Sequence, residues 1–96
     1  MLQQNVPNPF TSVTTIRFVV SSRDRTLHTL PGRDGAAVRL SIYDALGNPV
    51  ATLIDGEVTP GEQRIQWDAS GVPSGVYYYR LQCGSYTETR AMVLAR

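Results

Sequence analysis

The chain has 96 residues, of which 42% are hydrophobic, nine are basic and eight are acidic, so its formal net charge at pH 7 is +1. This length suits one domain with one core, and the charge offers no excess that would attract nucleic acid or an anionic membrane. The single cysteine, Cys83, excludes an intramolecular disulfide, and no apolar run reaches the roughly 20 residues of a membrane-spanning helix.

Glycine and proline recur at short intervals, and the runs between them are β-branched or aromatic with alternating polarity, which predicts an all-β fold. Residues 5–10 contain two prolines, which cannot donate to a β-ladder, so we expect this segment along a sheet edge with Phe10 closing one end of the core. Residues 14–20 and 38–44 alternate in polarity and are predicted strands. Their expected inward side chains are Ile16, Phe18, Val20, Val38, Leu40 and Ile42, and their expected outward ones are Thr15, Arg17, Val19, Arg39, Ser41 and Tyr43.

Turn signals divide the next part of the chain. Residues 44–47 suit a type I turn closed by Gly47, with the Asp44 carboxylate accepting backbone amides. A strand over residues 50–54 follows and is expected to end at a turn formed by residues 55–56. Residues 59–62 suit a type II turn, after which a strand over residues 63–68 directs Ile65 and Trp67 into the core.

The last third predicts a β-hairpin. After a turn at residues 72–75, alternation over residues 76–83 directs Tyr77, Tyr79, Leu81 and Cys83 inward. Gly84-Ser85 suits a two-residue hairpin loop leading to a final strand over residues 86–95.

Residues 21–36 are polar and charged, and are predicted to form a long loop or an added edge hairpin. Six strands and the proline-rich edge match an immunoglobulin-like antiparallel β-sandwich of about seven strands. We expect a single domain over residues 1–96.

No set of residues predicts a catalytic or metal site. His28 is the only histidine, and Cys83 ends an inward-facing stripe, where a cysteine acts as a small apolar core residue. Asp44, Asp55 and Asp68 are residue types for glycoside hydrolysis or calcium binding, but each begins or precedes a turn, where an aspartate caps backbone amides. We therefore expect no enzyme activity, no metal and no cofactor.

Several blocks occur in a specific order. They are Gln4-Asn5-Val6-Pro7-Asn8-Pro9-Phe10, Thr14-Thr15-Ile16-Arg17-Phe18, Leu40-Ser41-Ile42-Tyr43-Asp44 with Gly47, and Trp67-Asp68 followed by Gly75-Val76-Tyr77-Tyr78-Tyr79-Arg80-Leu81. In this order the blocks resemble the C-terminal sorting domains of the type IX secretion system, also called the Por secretion system. The fold of these domains is related to the immunoglobulin-like domain of the flagellar hook-capping protein. The resemblance extends from about residue 2 to residue 96.

The resemblance implies a non-catalytic domain that directs a larger cargo protein through the type IX system for release or cell-surface attachment. Implied partners are the secretion translocon, its processing protease and the N-terminal cargo domains of the parent chain, without nucleic acid or membrane insertion. The implied location is secreted or cell surface, by way of the periplasm of a Gram-negative bacterium. Recognition residues carried over by position are Pro7, Asn8, Pro9, Gly75, Val76, Tyr77, Met92, Val93, Leu94 and Arg96.

Each of these residues also has a structural explanation, since prolines protect a sheet edge, glycine permits a turn and tyrosine fills a core. The final strand is a natural element for a receptor to capture by strand addition. We expect residues 93–96 to make fewer core contacts than Ile65, Trp67 or Leu81, with the terminal arginine solvated. On that expectation, removing the last three residues would abolish export and leave a folded domain.

Two other functions stay open on the residues alone. A structural immunoglobulin-like spacer or hook-cap type domain, assembling with copies of itself, would share the same fold. A carbohydrate-binding module of a secreted enzyme would need an exposed aromatic strip, for which the sequence offers little beyond Tyr43 and Tyr78.

Overall fold

The computed structural model describes residues 2–20 and 36–96, which contain six β-strands. They are β1 (Val13–Val20), β2 (Ala36–Asp44), β3 (Pro49–Val58), β4 (Gly61–Asp68), β5 (Gly75–Cys83) and β6 (Tyr86–Leu94). Strand β1 pairs with β4 in one sheet, and the other sheet has the order β3-β2-β5-β6, with every pair antiparallel. The predicted all-β sandwich is confirmed. The expected loop or hairpin at residues 21–36 and His28 lie outside the described residues, except that β2 begins at Ala36.

The N-terminal segment, residues 2–10, adds a further edge to the smaller sheet. Its first half runs antiparallel to β1, with isolated bridges joining Leu2 to Phe18 and Val6 to Thr15. The amide of Val6 donates to the carbonyl of Thr15 at 3.0 Å, and the amide of Thr15 donates back at 2.9 Å. Strand β1 is therefore an interior strand, paired on both sides.

The second half of the N-terminal segment crosses to the larger sheet. Phe10 forms a parallel bridge with Leu94, its amide donates to the carbonyl of Val93 at 3.0 Å, and its carbonyl accepts from the amide of Ala95 at 2.9 Å. The predicted edge position is thus confirmed, and the segment pairs with one strand of each sheet, β1 in the smaller sheet and β6 in the larger one. It takes the place of a regular seventh strand.

The core lies between the sheets and contains the alternating residues expected from the sequence. Phe10 is 1% exposed and closes one end, where its ring centroid lies 5.9 Å from that of Trp67. Trp67 in turn meets Tyr77 edge-on at 5.5 Å. The buried apolar side chains are Leu2, Phe10, Ile16, Phe18, Val20, Val38, Leu40, Ile42, Trp67, Ala69, Tyr77, Tyr79, Leu81, Cys83, Met92 and Leu94.

The turn after β2 confirms its prediction. The Asp44 carboxylate accepts the amides of Leu46 and Asn48, each at 2.9 Å, and the Asp44 carbonyl accepts the amide of Gly47 at 3.0 Å. Gly47 has φ 89°, in the left-handed region that glycine enters without a steric penalty.

Two local predictions are wrong. Residues 55–56 do not form a turn, because β3 continues to Val58 and Asp55 lies opposite Arg39 of β2. Ser41, expected on the exposed side of β2, is only 3% exposed. It is a small side chain on an interior strand, flanked by the larger Thr52 and Arg80 on the neighbouring strands.

Candidate recognition surface

The ten residues predicted for recognition lie around the open end of the hairpin formed by β5 and β6, where β5 begins and β6 ends. Gly75 pairs with Leu94 and Val76 with Val93, while the N-terminal segment brings Asn8 to the same place. Tyr77, Met92 and Leu94 are buried in the core, and seven are exposed. The seven are Pro7, Asn8, Pro9, Gly75, Val76, Val93 and Arg96, which we call the terminal surface.

The free edge of β6 is occupied at its C-terminal end. The Asn8 side-chain oxygen accepts the amide of Val93 at 2.9 Å, and the side chain of Gln4 donates to the carbonyl of Ala91 at 2.8 Å. With the backbone bonds of Phe10, these contacts satisfy the groups that an added strand would use. A partner that reads this end by strand addition must therefore first displace residues 8–10, whereas a partner that reads side chains need not.

The outer face of the larger sheet carries an exposed apolar patch beside this edge. Val76 and Val93 are direct cross-strand neighbours and are 41% and 38% exposed. Tyr78, 38% exposed, is paired with the exposed Ala91 in the next row. The patch lies on two strands that are hydrogen-bonded to each other along their length, and at Val93 the N-terminal segment adds a further bond.

The chain end is more firmly held than the sequence predicted. The Arg96 guanidinium donates to the carbonyls of Val72 and Ala69, and its backbone amide donates to the Ser74 hydroxyl at 3.2 Å. Leu94 is 1% exposed and belongs to the core. The expectation of few core contacts is therefore wrong for Leu94. Removal of the last three residues would empty a core position and take away the donor that the Val72 and Ala69 carbonyls share, so we expect it to destabilise the domain.

Two of the predicted residues have clear structural functions. The Tyr77 hydroxyl donates to the carbonyl of Pro73 at 2.5 Å, four residues earlier, in the tyrosine-corner arrangement found at the start of such strands in immunoglobulin-like sandwiches. Gly75 has φ 154°, a conformation that other residues rarely adopt. The pair fixes the direction in which β5 leaves the preceding turn.

A buried polar network, which the sequence did not predict, holds the N-terminal segment in place. The Tyr79 hydroxyl accepts the amide of Asn5 at 2.9 Å and donates to the carbonyl of Gln3 at 2.7 Å. Burial raises the pKa of Tyr79 above its ordinary value, although the Asn5 amide and the charge of Arg90 oppose the rise. This hydroxyl thus remains protonated and able to donate.

The same network continues on the other side of Asn5. Its side-chain amide donates to the Thr14 hydroxyl at 3.0 Å and to the carbonyl of Pro7 at 3.1 Å, and the Thr14 hydroxyl donates to that carbonyl at 2.9 Å. Thr14 could have been found from sequence, because it alternates in phase with Ile16 and Phe18. Asn5 could not have been found from sequence, because the N-terminal segment pairs only through isolated bridges and its side chains show no alternating polarity.

The residues that the sequence offered for catalysis or metal binding have structural roles. Hydrogen bonds from backbone amides, of Asn48 to Asp44 and of Ser70 to Asp68, hold the pKa of both carboxyls below the usual value. Cys83 is fully buried, as predicted. Within residues 2–20 and 36–96, no three histidine, cysteine or acidic side chains are grouped so that they could hold a metal ion. The same residues contain no helix with the length and apolar character needed to cross a membrane.

The carbohydrate-binding alternative depends on Tyr43 and Tyr78, which are cross-strand neighbours in the structure. Tyr43 is half-buried, however, and the Arg80 guanidinium carbon lies 4.8 Å from its ring centroid. One face of Tyr43 is therefore covered, and the strip that this alternative needs is reduced to Tyr78.

A known protein family matches almost the whole chain. The family model described as "Secretion system C-terminal sorting domain" matches residues 6–95. No curated protein sequence matches the chain significantly. The family match includes the proline-rich segment and the terminal strand, which the fold brings together.

Proposed function

Because the chain belongs to the C-terminal sorting domains of the type IX secretion system, we propose that the secretion translocon recognises it through the terminal surface. As a member of this family it is a sorting signal that directs a larger cargo chain out of the cell, to the medium or the cell surface. The route we propose passes through the periplasm. The further partner we propose is the processing protease of the system.

One observation carries the proposal: residues 7–9 and 93 lie far apart in the chain and are joined by the Asn8 to Val93 hydrogen bond. Beside that hydrogen bond, Val76 and Val93 expose apolar area next to the polar residue Asn8. An apolar centre with a polar rim is the usual composition of a protein recognition patch. The buried members, Tyr77, Met92 and Leu94, support the patch from below.

Processing is compatible with this arrangement only at certain positions. Leu2 and Asn5 are buried, and the N-terminal segment supplies backbone bonds to both sheets. A protease cut before residue 2 leaves these contacts intact, whereas a cut after residue 6 would separate the two halves of the segment. We therefore propose that processing occurs upstream of the domain.

We also propose that the domain performs no chemistry of its own. The carboxylates of Asp44 and Asp68 accept backbone amides, and Cys83 is enclosed in the core. None of these groups has both an activating base beside it and access to a substrate. The family is not known as catalytic, in agreement with this proposal.

The test places a charge in the apolar patch without disturbing the core. Val93→Lys and Val76→Lys would be compared with Val13→Lys and Val19→Lys, since the control valines are each 39% exposed on the outer face of the other sheet. Each variant is fused to a reporter in a bacterium with a type IX system, and both surface delivery and thermal unfolding are measured. We expect the first pair to lower delivery by about tenfold or more, the factor that follows from losing about 1.4 kcal/mol of binding.

Equal delivery by all four variants would contradict the proposed surface while leaving the family assignment in place. Because a lysine on the exposed face of a strand changes stability by only about 1 kcal/mol or less, all four domains should remain folded. The unfolding curves verify this, and a loss of delivery confined to the folded Val76 and Val93 variants supports recognition.

A further inference from the structure

Arg17 and Arg64 lie directly opposite each other, an arrangement that no other pair of described arginines shares. Arg39 lies opposite Asp55, Arg80 lies over the Tyr43 ring, Arg90 pairs with Glu88 at 3.3 Å, and Arg96 donates to backbone carbonyls. Arg17 and Arg64, in contrast, are direct partners across the β1–β4 pair. Like charges placed directly opposite each other destabilise a sheet, so this arrangement calls for an explanation.

Both side chains project from the outer face of the smaller sheet. Ile16 and Phe18, which flank Arg17, point into the core, so alternation directs Arg17 away from it. The neighbouring bonds between Thr15 and Val6 hold this part of β1 in place. The two guanidinium groups therefore extend from paired strands of the opposite sheet from the patch at Val76 and Val93.

The acidic groups nearby do not neutralise both charges. Glu62 is bound to Arg64, through Nε and Nη2 to the same carboxylate oxygen, each at 2.8 Å. Among the described residues, no carboxylate is paired with Arg17. The local sum of Arg17, Arg64 and Glu62 is thus one net positive charge. Within the described part of the chain, the only guanidinium donors of this pair that are engaged are the two that Arg64 directs at Glu62.

A shallow depression of about 210 Å³ lies between these side chains, lined by Val6, Thr15, Arg17 and Arg64. Drug-sized ligands occupy pockets of about 300–1,000 Å³, so this depression suits a small group and not a sugar chain. Its polar lining residues are Arg17, Arg64 and Thr15, whose side chains carry guanidinium and hydroxyl donors. Such a set of donors matches a tetrahedral group with several acceptor oxygens.

We propose that this depression binds a phosphate group, with Arg17 as its principal ligand and Arg64 and Thr15 completing the site. The site is separate from the sorting function and lies on a different face of the domain. Arginine from two strands can engage different oxygens of one phosphate, and the anion relieves the repulsion between the paired cations.

The experiment is a titration of the isotopically labelled 96-residue chain with inorganic phosphate, followed by amide chemical shifts. We expect saturable shifts at Thr15, Arg17 and Arg64, and an affinity at least about tenfold weaker in Arg17→Gln, because one charge-assisted hydrogen bond contributes that factor or more. Arg39→Gln is the matched control, since Arg39 lies on the outer face of the other sheet opposite Asp55. It should bind phosphate as the unmodified chain does.

Thermal unfolding distinguishes a binding role of Arg17 from a purely structural one, because loss of a structural arginine would lower the melting temperature. Removing one of two opposed cations should leave the melting temperature of Arg17→Gln unchanged or higher in phosphate-free buffer. Lower stability together with unchanged phosphate binding would overturn the proposal. So would the absence of local shifts, or shifts of equal size in Arg17→Gln.

Two probes distinguish the source of the phosphate. Vesicles containing phosphatidic acid are compared with neutral phosphatidylcholine vesicles and with inorganic phosphate alone. Arg17-dependent binding to the acidic vesicles assigns a lipid headgroup, and binding to inorganic phosphate alone assigns a soluble phosphate. Binding of an acidic peptide such as polyglutamate at Arg17, when neither phosphate probe binds, would overturn the assignment in favour of a protein partner.

Discussion

Three consecutive tyrosines of β5 provide a test of what holds the N-terminal segment to the sandwich. The hydroxyl of Tyr79 makes two hydrogen bonds, to the amide of Asn5 and the carbonyl of Gln3, and the side chain is fully buried. Substitution by phenylalanine preserves the ring and its packing but leaves both backbone groups without their partner. A buried group left unsatisfied costs about 1–3 kcal/mol, and the partly buried Gln3 carbonyl should contribute at the lower end of this range.

The expected loss for Tyr79→Phe is therefore about 2–3 kcal/mol, a large share of the 5–15 kcal/mol typical of a small domain. Since each kcal/mol shifts the melting temperature of a domain of this size by several degrees, the midpoint should fall on the order of 10–20 °C. Urea unfolding gives the free energy directly. Native-state hydrogen exchange at Val6 and Thr15 reports whether the segment detaches before the rest unfolds, as we expect.

The neighbouring tyrosines are matched controls. Tyr77→Phe removes a single bond, to the partly buried carbonyl of Pro73, and should cost about 1 kcal/mol. Tyr78 is exposed, and none of the described residues accepts a bond from its hydroxyl, so Tyr78→Phe should change stability by less than about 0.5 kcal/mol. Equal effects of the Tyr79 and Tyr78 substitutions would refute the reasoning.

Two further predictions concern the core and pH. Trp67 is 5% exposed and contacts Phe10 and Tyr77, so Trp67→Ala should cost about 3–5 kcal/mol in urea unfolding, and emission of the native protein typical of a fully exposed indole would contradict its burial. Burial raises the pKa of Tyr79 in the folded protein above its value near 10.0 in the unfolded chain. The contribution of this hydroxyl to folding stability is therefore fully present below the unfolded pKa and is lost as pH rises through the folded pKa. The free energy of unfolding of the native chain should thus fall in alkaline solution, and that of Tyr79→Phe should fall by less. Parallel pH profiles of the two proteins would contradict this. Burial and Glu88 raise the pKa of Tyr86 in the same direction, which accounts for the remaining loss expected in the variant.

The sequence alone determined the strands and the inward residues of most of them. Period-two alternation places Ile16, Phe18, Trp67 and Tyr79 correctly because a strand directs successive side chains to opposite faces, whatever its neighbours are. Turn chemistry also acts locally, so Asp44 and Gly47 identified their turn correctly. Strand pairing can override such a local signal: Asp55-Gly56 has turn composition, but its pairing with β2 keeps it within β3.

Only the tertiary structure decided how the N-terminal segment, the terminal strand and the two arginines are used. Asn5, Asn8 and Arg96 acquire their roles from partners roughly 10 to 90 residues away, and no periodicity encodes such a pairing. Likewise, the facing positions of Arg17 and Arg64 depend on the register between β1 and β4, which a one-residue slip would change. Register is set by the packing of both faces together, and for this reason the contacts between distant segments could not be predicted from either segment alone.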